Sequence, residues 1–357
     1  MNRHLNPYSR LDDSAFWSRS VSDIASHEVH PITSPRFKFS YSDQIISLGS
    51  CFAQHVARHI QNKGLNYLVT EPGGSELTAE NARALGYGIF SARYGNIYTS
   101  RQALQLVERS LGIRSPEIDA WRISDNSWID PFRPNIMSRE GFASRRELHS
   151  DRQDHFNAVR TMLREADIMI YTLGLTEAWQ SIHDEFVVPF PPGVFGCESN
   201  ARCYEFINFD IAQTVVDLSR FVDLVRDAQP NIRVMLSVSP VPLVATYSGS
   251  HVLCATTYSK SVLRVAVSEV MRTRDWVDYF PSYEIVTGIH SGNSFFEDDL
   301  RSVAPTGIAR VMEIFDQYYV DGTSGTEAMS DLAAIEQEMN QNYSVICDEE
   351  MLENSFD

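Results

Sequence analysis

No stretch of this chain approaches the roughly 20 consecutive apolar residues that a helix needs to cross a bilayer. The segment from Met1 to Asp23 is polar and mixed in charge, without the apolar centre of a secretory leader, so the expectation is a cytoplasmic protein with no membrane contact. Cysteine is sparse. Cys51, Cys197, Cys203, Cys254 and Cys347 are an odd set, and no two have the C-x-x-C spacing of a zinc or redox site. That pattern speaks against a disulfide framework and for reduced thiols. Basic residues are also few: 30 Lys and Arg against 47 Asp and Glu leave a formal net charge of -17. Such a balance argues against a nucleic-acid surface, because phosphate contacts need clustered cations. The deficit is concentrated at the C-terminus, where Asp321 to Asp357 holds 10 acidic residues and no Lys or Arg. A solvated appendage with one short helix around Asp331 to Met339 fits this composition; a partner-binding or self-masking segment is the alternative.

What remains is the composition of a globular protein, 43% hydrophobic and 22% charged over 357 residues, with room for one large domain or two ordinary ones. Strand-like and helix-like segments alternate from about residue 44 to 318, the pattern of an α/β protein with a mainly parallel sheet. Gln44 to Leu48, Leu65 to Val69, Asp167 to Thr172, Arg233 to Val238 and Trp276 to Phe280 read as its strands. Phe52, Val56 and Ile60 recur every four residues and give a helix that packs on that sheet. Further helices are expected at Thr99 to Leu111, Arg145 to Glu165, Ile211 to Ala228, Cys254 to Arg272 and Pro305 to Tyr318. An irregular Trp- and Pro-rich piece from Trp121 to Pro134 and a Pro- and Gly-rich loop from Pro189 to Gly196 interrupt the alternation. The domain organisation that follows is an N-terminal extension over residues 1–39, an α/β domain over 40–318 and the acidic tail over 319–357.

In parallel α/β sheets ligands bind at the carboxyl ends of the strands, which directs attention to Ser50, to Thr172 through Glu177, to Ser239 through His251 and to the loop after Phe280. Ser50 falls between a strand and the start of a helix, where a hydroxyl is exposed to a ligand and unpaired backbone N–H groups can hold an oxyanion. A serine there can equally be a helix cap. Cys51, one residue further on, is a thiol alternative but also a common small core residue. His55 and His59 share a helix face, yet the E-x-x-H context and a third ligand are missing, so no metal is implied. Gly73-Gly74 lacks the lysine of a P-loop, and no nucleotide cofactor is implied.

Gly49-Ser50-Cys51-Phe52-Ala53 is the signature from which the GSCFA family takes its name, a family similar to SGNH/GDSL esterases and lipases. The chain also resembles that family at residues 90–99, at Asp130-Pro131-Phe132-Arg133-Pro134, at residues 172–179, at Ser239-Pro240-Val241-Pro242-Leu243 and at residues 279–284. The resemblance implies a three-layer α/β/α, flavodoxin-like fold around a mainly parallel five-stranded sheet. It assigns Ser50 as nucleophile and first oxyanion donor and Gly95 as the second. The third block, normally G-x-N-D, reads Gly174-Leu175-Thr176-Glu177, so Thr176 replaces the oxyanion asparagine and Asn96 is placed to compensate. The last block, normally D-x-x-H, reads Asp299-Leu300-Arg301-Ser302 and has no histidine.

A serine alcohol needs a nearby base. His251 is the preferred substitute, His290 and Lys260 are further candidates, and Asp298 or Asp299 would orient an imidazolium. The activity implied is an esterase or O-acyltransferase acting on a small acyl ester, including one on a carbohydrate, through an acyl-Ser50 intermediate. Glu177, Trp179 and Tyr98 are the expected substrate contacts. A non-catalytic module that holds an acyl or carboxylate ligand is the competing reading.

Overall fold

The computed structural model describes residues 6–136, 141–194, 198–322 and 348–354, so the expected helix at Asp331 to Met339 lies outside the described residues. In chain order the core elements are β1 (Ile45–Gly49), α1 (Cys51–Asn62), α2 (Ala79–Ala84), α3 (Ser100–Ser110), β2 (Trp121–Ser124), β3 (Ser127–Ile129) and α4 (Arg145–Glu165). They continue with β4 (Ile168–Leu173), β5 (Glu177–Ser181), β6 (Val187–Val188), β7 (Tyr204–Asn208), α5 (Ile211–Ala228) and β8 (Arg233–Val238). α6 (Val252–Arg272), β9 (Val277–Phe280), α7 (Ser282–Thr287) and α8 (Pro305–Tyr319) complete the series.

β1, β4, β8 and β9 form a parallel sheet in that order. All six residues of β4 are buried, as expected of a central strand covered on both faces. Met169, Tyr171 and Leu173 of β4 belong to a core shared with α3, α4, α5 and α6, whereas Ile168 and Ile170 belong to one shared with α1, α7 and α8. Alternation along one strand therefore feeds two helical layers, and the molecule is a three-layer α/β/α sandwich.

The sheet has four strands and not the five expected. Leu65 to Val69 makes a single parallel bridge, Tyr67 with Ile45, using the Ile45 N–H to Asn66 O bond at 2.9 Å and the Leu68 N–H to Ile45 O bond at 2.9 Å. The next rungs are occupied by another segment: the Ser47 N–H donates to Ser91 Oγ at 3.2 Å and the Thr70 N–H to Ser91 O at 2.8 Å. The segment around Ser91 thus displaces the fifth strand from the edge of β1.

Two features outside the sheet bear on the site. β5, β6 and β7 make an antiparallel sheet, ordered β6-β5-β7, that starts directly after β4. The N-terminal extension lies against the core, with Val29, Ile32 and Phe39 buried and Phe39 bridged to Val320 beyond α8. Among the described residues no helix is long and apolar enough to cross a membrane.

Candidate active site

The turn between β1 and α1 is fixed by its glycine. Gly49 has φ of +144°, and a Cβ there would lie 2.4 Å from the Thr172 carbonyl oxygen, so the close approach of β1 and β4 at their carboxyl ends requires glycine. Ser50 occupies the N-cap position of α1 with extended backbone, yet its side chain caps nothing. Its N–H continues the sheet by donating to Thr172 O at 3.1 Å. The Ser50 hydroxyl is buried and has no hydrogen-bond partner among the described residues, unusual for a polar group removed from water. Cys51 is buried in the first turn of the helix.

Two loops close on this turn. The first contains Gly95, with φ of +69°, followed by Asn96 and Tyr98. The Ile97 N–H donates to Gly49 O at 2.8 Å, which pins the loop to the end of β1. Asn96 is buried, accepts from Gln54 Nε2 of α1 at 3.0 Å and donates to the Tyr98 hydroxyl at 3.3 Å. The second loop follows β4. Both Gly174 and Leu175 donate their N–H groups to Tyr98 O at 3.0 Å, and a Cβ on Gly174 would stand 3.0 Å from the Ser50 Cβ. Ser50, Gly95, Asn96, Tyr98 and Gly174 are therefore gathered at one end of the sheet. Thr176 is in the same turn, but its hydroxyl donates to Asn208 Oδ1 at 2.6 Å and its N–H to Ser259 Oγ at 3.0 Å.

Of the candidate bases, Lys260 is the one attached to this turn. It is 2% exposed, and its Nζ donates to Gly174 O at 2.6 Å, on the residue whose α-carbon faces Ser50. Burial pulls the Lys260 ammonium down to about 8, against the opposing pull of Glu349 and Cys51, while Arg301 adds to the fall. His251 stands at the start of the same helix, exposed, where its Nδ1 accepts the Leu253 N–H at 3.2 Å. Asp299 is exposed and turned into its own loop, accepting from the Ser302 hydroxyl at 2.6 Å and from the N–H groups of Arg301 and Ser302. Asp298 is exposed, and the His290 ring folds over Gly288 of its own turn. His59 of the helical pair is held by Asp316 at 2.8 Å.

The final loop contributes through Arg301. Arg301 pairs with Glu349 at 3.1 Å, and Glu349 belongs to the described end of the acidic tail. Burial pushes the Glu349 carboxyl up, while Arg301 and Lys260 pull it down. Next to this network opens a cavity of about 400 Å³ whose walls include Tyr98, Leu175, Trp179, Phe190, Phe206 and Leu352, with Glu177 and Glu349 as its acidic members. Tyr247 lies against Trp179 and Phe206, with ring centroids 5.0 and 5.5 Å away. Glu177 is tied down by the Thr246 hydroxyl at 2.6 Å and the Tyr247 N–H at 3.2 Å, and burial pushes its carboxyl up. Glu177, Trp179 and Tyr98 thus line one chamber; Ser50 is not on its wall, and the two are joined through Tyr98 and Leu175, which line the chamber and are hydrogen-bonded in the turn that faces Ser50.

Asn208 and Phe206 lie outside the segments that the sequence singles out, Tyr247 lies inside Ser239 through His251 without a signal of its own, and Lys260 rather than the preferred His251 is attached to the Ser50 turn. The alternation in Tyr204-Glu205-Phe206-Ile207-Asn208 was the available signal for β7. For Leu352 the signal was an apolar pair, Met351-Leu352, inside an acidic run.

Among solved structures, an acetyl esterase Ser-to-Ala mutant with acetate ion is 10% identical, covering 82% of this chain and 99% of its own, at a TM-score of 0.32. A Clostridium thermocellum family 3 carbohydrate esterase is 12% identical, covering 82% and 98%, at 0.27. A family 2 carbohydrate esterase with a carbohydrate-binding domain from Corynascus thermopiles (Myceliophthora fergusii) is 14% identical, covering 87% and 68%, at 0.26. No curated protein sequence matches the chain. The sequence model of the GSCFA family matches residues 44–315, a span from the start of β1 into α8 that holds Ser50, Gly174 and Lys260, and the chain belongs to the GSCFA family.

Proposed function

We propose that this protein is a serine ester hydrolase or O-acyltransferase in which Ser50 carries the acyl group and Lys260 moves the proton. The observation that carries the reading is the buried hydroxyl of Ser50, without a hydrogen-bond partner among the described residues, beside Gly174, whose carbonyl holds the Lys260 amine. Neutral Lys260 keeps one N–H on Gly174 O and offers its lone pair to the Ser50 proton. Ser50 Oγ then bonds to the acyl carbon of the ester, and the oxyanion is taken up by N–H groups in the Gly95-Asn96 turn, the Ser50 N–H expected as the first donor being spent on Thr172 O. Collapse breaks the bond to the alcohol, which leaves with the proton from Lys260. Water or a second alcohol, deprotonated by the same amine, releases the acyl group and restores Ser50.

The cavity supports an apolar acyl chain longer than acetyl, with the rings of Trp179 and Tyr247 available to a sugar at its edge. Treatment with a fluorophosphonate and assay of a series of aryl esters, with wild type and Ser50→Ala side by side, tests the reading. Labelling and turnover that both depend on Ser50 are expected. A protein that binds acyl ligands in the cavity but shows neither is a binding module, the reading favoured by Ser302 at the position where SGNH esterases carry histidine.

A further inference from the structure

A second pocket, of about 480 Å³, lies at the far end of α3 and is lined with arginine: Arg109, Arg114, Arg152 and Arg160 face it against one carboxylate, Asp119. It is separate from the chamber beside Ser50. Gln102 of α3 lines that chamber and Arg109 lines this one, about 10 Å further along the helix at 1.5 Å per residue.

Most charges around the second pocket are already matched. Asp119 is held by Arg145 at 2.7 Å, His149 at 2.9 Å and Arg152 at 3.1 Å. Arg152 also reaches Asp130 at 3.1 Å. Arg114 pairs with Glu108 at 3.8 Å and donates to Asp184 O at 2.8 Å, and Arg160 donates to Ser110 O and Asn157 Oδ1. Arg109 is different. It is 8% exposed, and its Nε is buried with no hydrogen-bond partner among the described residues. The ring of Phe132 lies 3.7 Å from its guanidinium carbon and that of Phe156 5.1 Å, so aromatic surface covers the group. The guanidinium's donors lie in its own plane, so stacking against a ring satisfies none of them. Burial pulls the Arg109 guanidinium down to about 9, with Arg152 and Arg133 adding to the fall and Asp130 and Asp119 opposing it.

A buried, ring-clamped arginine with an unused donor, at the wall of a concave site where four cations face one carboxylate, is built to receive an oxyanion. We propose that this pocket binds a compact oxyanion, a phosphate, sulfate or carboxylate group, carried by a small polar molecule, with Arg109 as its central donor and Arg114 and Arg160 at its rim. In a chain of net charge -17 such a pocket is a local inversion of sign, and it draws anions only at short range.

Calorimetric titration of the full chain at low ionic strength with inorganic phosphate, inorganic sulfate and glucuronate tests this. Saturable 1:1 binding of at least one anion is expected, weakened by added sodium chloride and reduced at least tenfold in Arg109→Met, which keeps an apolar stem between the rings. A preference for phosphate or sulfate identifies a tetrahedral anion, and a preference for glucuronate identifies a carboxylate. Failure of all three to bind overturns the proposal, as does unchanged affinity in Arg109→Met. Should that variant not fold, the rim double variant Arg114→Gln/Arg160→Gln decides, with several-fold weaker binding expected and unchanged affinity contradicting the site.

Discussion

Lys260 and His251 stand on the same helix, about 13 Å apart along its axis at 1.5 Å per residue, and their surroundings give them different roles. His251 is in solvent and spends its acceptor nitrogen on the Leu253 N–H. Lys260 is buried against Gly174, and burial lowers it to about 8. In the proposed mechanism only the neutral amine accepts a proton from Ser50, so ester turnover should be low at pH 6, rise about tenfold per pH unit and level off above the Lys260 midpoint. Lys260→Met should lose about 10²- to 10⁴-fold in kcat with that limb abolished. His251→Ala should keep near-normal turnover and lose about 1 kcal/mol or less of stability from the missing cap. Steady-state rates across pH for the three proteins, with urea unfolding of the last, check these outcomes. A collapse of activity in His251→Ala with Lys260→Met active would reverse the assignment. In the sequence Ser50 was legible, because strand, turn and helix are contiguous there. The environment of Lys260 was not, since its contact at Gly174 is 86 residues away and burial has no local signature in a helix polar on that turn. Thr176 shows the same limit: Asn208, which takes its hydroxyl proton, is 32 residues away.

At the scale of elements, the turn that presents Ser50 depends on the fit of β1 against β4. Gly49→Ala would drive a methyl group into the Thr172 carbonyl and hold alanine at φ of +144°. A loss of about 3 kcal/mol is expected, read as a lower urea midpoint, with Ser50-dependent labelling reduced in whatever protein still folds. Wild-type stability in that variant would show that the two strands do not meet there. Elements with strong local periodicity were read almost to the residue: α4 spans Arg145–Glu165, α5 spans Ile211–Ala228 and β8 spans Arg233–Val238, each as expected. Their apolar faces are set by neighbours three and four residues away in helices, or two away in strands, so the pattern is local. The fifth strand failed because its place beside β1 is contested by Ser91, a competition between segments. The β5–β7 sheet was missed for a related reason. Its strands are short and pair Glu177 with Asn208 across 31 residues, and its apolar side chains are divided between small local clusters, with Val188 and Tyr204 in one and Ala178 and Val187 in another, and the cavity lined by Trp179 and Phe206.

At the scale of the whole molecule, the acidic tail returns to the site. Residues 348–354 bring Glu349 and Glu350 to Arg301, at 3.1 and 3.5 Å, and place Leu352 on the cavity wall. Glu349 favours the protonated form of Lys260, and Arg301 opposes it. Removal of the Glu349 carboxylate leaves the Arg301 charge less balanced next to the amine, so both changes lower the Lys260 midpoint. Glu349→Gln, which keeps Leu352 in the wall, should therefore move the rising limb of ester turnover toward acid pH and raise the rate at neutral pH, where more of the amine is free. Deleting residues 348–357 removes the same charge but also uncovers the amine, and since burial is the largest cause of its lowered midpoint the limb should lie on the alkaline side of that of Glu349→Gln. Profiles of kcat/KM against pH for the two variants and the wild type decide the matter. Superimposable limbs in all three would show that the tail does not act on Lys260 in solution, and a shift toward alkaline pH in Glu349→Gln would contradict the placement of Glu349 beside the amine.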